Sequence, residues 1–144
     1  MAPDDETFTP EERAAMRERA REMRHGRSGG PKNPGADFDA AVAAMPEGER
    51  AIARRLAGLV AEHAPELAAR TWYGMPAWSR GGKVICFFQP ASKFKARYST
   101  LGFQDGARLD RGSMWPTSFA ITALGDEDEA AVVELLLRAL GRAL

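Results

Sequence analysis

Val84-Ile85-Cys86-Phe87-Phe88 is apolar at both parities. Successive side chains of a strand point to opposite faces, so such a run needs cover on both sides and predicts a central, buried strand. That strand requires a sheet around it and helices to pack on the sheet, and the flanking sequence supplies both. Upstream, Phe38, Val42 and Met45 share a helical face in a short helix beginning at Asp37 and closed by Pro46. Ile52, Leu56, Leu59, Val60 and His63 then recur at spacings of three to four, until Pro65 ends a longer helix. Downstream, Asp126 to about Arg142 repeats the pattern through Ala130, Val133, Leu136, Leu137 and Leu140. Between these helices, Thr71-Trp72-Tyr73 is β-prone, Gly74-Met75-Pro76 breaks it, and Ala77-Trp78-Ser79 resumes. Arg80-Gly81-Gly82-Lys83 reads as a turn, Lys93 to Tyr98 alternates strictly, and Thr117 to Thr122 reads as a further strand. Met75-Pro76 is compatible with a cis peptide in a tight turn. The sum is a two-layer α+β domain: an antiparallel sheet of about four to five strands packed by helices from both ends of the chain.

Ahead of this domain stands a separate helix. Thr9 is a good N-cap, Pro10 suits the first helical position and Glu12 stands where a capping-box acid reaches back. Arg13, Arg17, Arg21 and Arg24 form one stripe and Met16, Ala20 and Met23 another. So thin an apolar stripe implies a solvated or weakly docked arm. His25 to Ala36 is rich in Gly and Pro without periodicity and reads as a flexible linker. Residues 1–36 are therefore arm and linker, and residues 37–144 the domain.

Charge is segregated although it sums to zero. Between Arg70 and Arg111 eight basic side chains face two acidic ones, whereas both helical flanks carry more acid than base. As a strand, Lys93 to Tyr98 would put Lys93, Lys95 and Arg97 on one face and Phe94, Ala96 and Tyr98 on the other. Such cations are either the wet side of an amphipathic strand neutralised by helix acids, or an anion site converging on phosphate or carboxylate. The neutral total disfavours nucleic acid. Trp72, Tyr73, Trp78 and Tyr98 lie nearby as core aromatics or as walls of a pocket.

Signals for chemistry are sparse. P-loop, GxGxxG, HExxH and CxxC patterns are missing, and two histidines suggest no nucleophile–base pair. These features point away from an enzyme. His25, His63 and Cys86 lack ligand-like spacing. The acid run Asp126-Glu127-Asp128-Glu129 either complements a helix dipole or forms an all-oxygen cation site. A single cysteine fits a reducing cytoplasm. No apolar run approaches membrane-spanning length, and the acidic start is unlike a signal peptide.

Thr71-Trp72-Tyr73-Gly74-Met75-Pro76-Ala77-Trp78, Gly82 to Phe88, Phe94-Lys95-Ala96-Arg97-Tyr98 and Leu101-Gly102-Phe103 together resemble the YdhG-like family. This is a domain-of-unknown-function family, some members of which are described as frataxin-like intracellular iron chaperones. The resemblance covers about Asp37 to Leu144, and the "FTPEERAAM" opening resembles an extension of bacterial relatives. It implies a compact α+β fold without established enzymatic activity, and iron as a cargo.

Three functional expectations follow. The leading one is a non-enzymatic cytoplasmic domain binding a small anionic molecule or a protein partner through Trp72, Tyr73, Trp78, Lys93, Lys95, Arg97 and Tyr98, with no cofactor. The second is an iron-binding chaperone using Glu47, Glu49, Asp126, Glu127, Asp128 or Glu129. The third is an interaction module whose N-terminal helix recruits a partner.

Overall fold

A computed structural model describes residues 8–27 and 33–142. Helix α1 (Pro10–Arg27) is followed by α2 (Pro34–Ala43) and α3 (Glu47–His63). Strands β1 (Ala68–Trp72), β2 (Met75–Arg80) and β3 (Lys83–Gln89) come next, then a single-turn helix α4 (Ala91–Phe94). Strands β4 (Ser99–Phe103) and β5 (Ser118–Ile121) and helix α5 (Asp126–Ala139) complete the order. The strands form one antiparallel meander, β1-β2-β3-β4-β5, with the apolar run at its centre. The expected α+β architecture is therefore present.

Local chemistry explains the boundaries. Thr9 and Glu12 form the reciprocal capping box: Glu12 N–H donates to Thr9 Oγ1 at 3.0 Å and Thr9 N–H to Glu12 Oε1 at 2.9 Å. Asn33 Oδ1 accepts from Ala36 N–H at 3.0 Å and Pro34 opens α2, so this helix starts three residues before the expected Asp37. An Asn-Pro pair is an N-cap signal, and it cuts into the stretch read as linker, as does α1 by running on to Arg27. The rest of that stretch, residues 28–32, lies outside the described residues. Two-residue loops join β1 to β2 and β2 to β3. Tyr73 and Gly74 (φ 53° and 75°) and Gly81 and Gly82 (φ 59° and 81°) have the positive φ of type I′ turns. The Met75–Pro76 peptide is trans.

One sheet face makes the core. Trp78, Cys86, Phe88, Leu101, Phe103 and Ile121 point to it by their register, and Phe38, Val42, Leu56, Leu59, Val60, Val132 and Leu136 close over them. Trp78 is 2% exposed, with its ring 5.4 Å from that of Phe38. On the opposite face Ala77, Phe87 and Gly102 stand in one row. Phe87 lies across Gly102, where a Cβ would run into its ring, and 5.2 Å from Trp72. An aromatic side chain lying flat thus half-covers the second side of the central strand. Of the face expected for α5, Leu136 and Leu140 are buried and Val133 packs against the core, while Val132 and Ala139 are buried in addition, so the face is wider on one side than the spacing implied. No helix of the described residues is long and apolar enough to cross a membrane.

Candidate functional site

Lys93 and Lys95 do not lie on a strand. Ala91–Phe94 forms the turn of α4, Lys95 caps it in the left-handed region at φ 53°, and Ala96 N–H returns to Ala91 O at 2.9 Å. The expected alternating strand from Lys93 to Tyr98 is thereby corrected. Its residues include no β-branched side chain, Pro90 sets up a helical first turn, and charge alternation over six residues fits one turn plus a cap as well as a strand. The β-prone segment follows at Ser99, whose buried hydroxyl accepts from Ala91 N–H at 3.0 Å and ties α4 to β4.

Together α4 and the Tyr73-Gly74 turn build one end of the sheet, and α1 lies across it. Lys95 Nζ is 3.0 Å from Glu11 Oε1 and Lys93 Nζ donates to Glu18 Oε1 at 2.9 Å. Tyr73 N–H donates to Glu22 Oε1 at 2.9 Å. Glu18 rests against Gly74 so closely that a Cβ there would fall inside its carboxylate. Between these acids Ala15, 3% exposed, brings the two backbones together. Arg19 stands 5.7 Å over the Tyr73 ring, itself 4.9 Å from Trp72. These contacts hold Tyr73 at a positive φ, a conformation that costs a bulky residue about 1–2 kcal/mol.

The docked stripe of α1 is therefore Glu11, Ala15, Glu18 and Glu22, while Met16 and Met23, 36% and 46% exposed, face solvent. The thin apolar stripe is the outward one. Apolar periodicity carries no trace of this arrangement; the 4-3-4 spacing of Glu11, Ala15, Glu18 and Glu22 is its signal in the sequence. Of the expected ligand residues, Tyr73, Lys93 and Lys95 converge here and Trp72 supports them. Trp78 belongs to the core. Arg97 is 5.2 Å from the Tyr98 ring, in the segment after α4, and neither residue is seen to touch α1.

Burial pushes the Glu22 carboxyl above its usual range, and Thr71, the Tyr73 amide, Arg19 and Arg70 offset part of the rise. Its Oε2 is buried and makes no hydrogen bond; Glu18, Arg21 and Asp37 border the same depression. Glu11 is held below the usual range, chiefly by its hydrogen bond from Lys95. The signs oppose. A raised Glu22 favours docking while protonated and opposes it as pH climbs through its elevated value, whereas a lowered Glu11 loses its contribution as pH falls through its depressed value. Amide protection of α1, corrected for intrinsic exchange, is accordingly expected to increase from neutral to mildly acidic pH and decline at lower pH. Glu22→Gln should flatten the first limb. Protection that only falls on acidification from pH 7 would contradict this assignment.

Three of the six carboxylates considered for a cation are occupied otherwise. Arg55 grips Glu129 bidentately at 2.7 and 2.6 Å, Glu49 accepts from Ser92 N–H and Oγ at 3.2 and 2.7 Å, and Asp128 accepts from Gly125 N–H at 2.8 Å. Among the described residues no group of three or more His, Cys, Asp or Glu side chains is placed to hold a metal ion. Cys86 is fully buried and its thiol is pushed up to about 12, which leaves it without nucleophilic character. No family model, curated protein or solved structure matches this chain.

Proposed function

We propose that this chain is a non-catalytic binding module whose sheet end, formed by the Tyr73-Gly74 turn with Lys93 and Lys95, receives the carboxylates of a helical segment. The observation that carries the reading is the seating of three glutamates from one helix on three donors of the domain. It narrows the expected anionic ligand to carboxylates arrayed on a helix, and it gives the N-terminal helix the role of present occupant. The occupant is held lightly. A partly exposed pair such as Lys93–Glu18 is worth only about 0.2–1 kcal/mol, and beyond Ala15 little apolar surface of α1 is buried.

A charge swap tests this. Lys93→Glu with Lys95→Glu is expected to lower amide protection of α1 by roughly tenfold while leaving the sheet unchanged, since two attractive pairs become repulsive ones. Adding Glu11→Lys and Glu18→Lys to the same chain should restore protection. Unaltered protection in the double variant, or no recovery in the quadruple one, would refute the reading.

A further inference from the structure

Helix α1 does not fill its seat. Beside Glu18 lies a cavity of about 310 Å³ floored by Ala41, Ala44, Met45 and Pro46, with Ser92 and Lys93 at its rim. A second, of about 210 Å³, opens between Glu18, Glu22, Asp37 and Thr71. Lys93 and Lys95 are matched by Glu18 and Glu11, yet of α1 only Glu18 reaches the first cavity, and its methionines turn to solvent. Resting on the reading above, we propose that α1 is a competitor held in cis, and that the site's partner in trans is an acidic helix on another protein. That helix carries carboxylates at the spacing of Glu11, Glu18 and Glu22, a small residue at the place of Ala15, and an apolar side chain reaching the Met45–Pro46 floor.

Three features define this partner. The spacing of eleven residues spans about 16 Å along a helix axis, which sets the distance over which the acids must be presented. The donors are two ammonium groups and one backbone N–H, a set that reads carboxylates by charge and position. Ala15, 3% exposed, marks a buried point of the stripe that is filled by a small side chain. A trans helix meeting these conditions competes with a tethered one, so its apparent affinity is reduced by the fraction of chains whose site is open. Opening the site raises that affinity without altering the site itself.

A fluorescent peptide copying residues 8–27 serves as probe, and the full-length chain is used throughout. Glu11→Lys/Glu18→Lys repels its own Lys95 and Lys93 and frees the site. This variant is expected to bind the peptide at least about tenfold more tightly than wild type by anisotropy at low salt. A peptide with glutamine in place of Glu11 and Glu18 should bind at least about tenfold more weakly, and adding Lys93→Glu/Lys95→Glu to the chain should abolish binding. Equal peptide affinity for wild type and Glu11→Lys/Glu18→Lys, with α1 amides protected in wild type, would overturn this proposal and leave the module reading standing. Freely exchanging α1 amides in wild type would overturn both.

Discussion

Gly74→Ala is expected to loosen α1 on the domain. Two costs coincide at this position. The backbone at φ 75° is in the left-handed region, where an L-residue loses about 1–2 kcal/mol. The new methyl group would also occupy the space of the Glu18 carboxylate, so that carboxylate must swing away from Gly74, which disturbs its bond from Lys93. Hydrogen exchange should show α1 amides losing up to about fivefold in protection while β2, β3 and β4 keep theirs. Gly81→Ala separates the two causes. Its φ of 59° imposes the same strain, yet nothing lies within 4 Å of its Cβ. Gly81→Ala should lower stability by a similar 1–2 kcal/mol and leave α1 in place. Equal loss of α1 protection in both variants would show that turn strain, and not the seat of Glu18, governs docking.

Phe88→Ala should act on the domain itself. Phe88 is 0% exposed at the middle of the central strand, paired with Leu101. Truncating a buried phenylalanine costs about 3–5 kcal/mol through lost transfer free energy and the cavity left behind. Against a typical total of about 5–15 kcal/mol, this removes a large share of the stability. Thermal melting should fall by roughly 10–30 °C, and the denaturant midpoint should drop at unchanged slope. A loss under about 1 kcal/mol would mean that the core collapses around the site far better than such cores do.

The sequence discloses the core more fully than the site. The doubly apolar Val84–Phe88 run requires a central strand, and periodicity locates α3 and α5, because burial leaves its mark in the spacing of apolar residues. The Lys93–Tyr98 segment misleads because alternation records which side chains stay wet, not which backbone carries them. Helix α1 misleads for a related reason. Its inward face is made of glutamates, which ordinarily mark a solvated surface, and their partners at Lys93, Lys95 and Tyr73 are decided by tertiary placement. Glu11 gives no local hint that Lys95 waits for it. Asn33-Pro34 was legible as a helix start, yet it sits among glycines and prolines whose composition argues for coil.

The meander also orders the birth of the molecule. Each strand finds its mate next along the chain, so hairpins close as soon as their residues emerge. The bond from Lys93 to Glu18 instead bridges 75 positions. During synthesis the acidic stripe must therefore wait, on the order of 4–15 s at ribosomal speeds, before its berth exists. Throughout that interval the nascent arm is open to any cationic surface it meets.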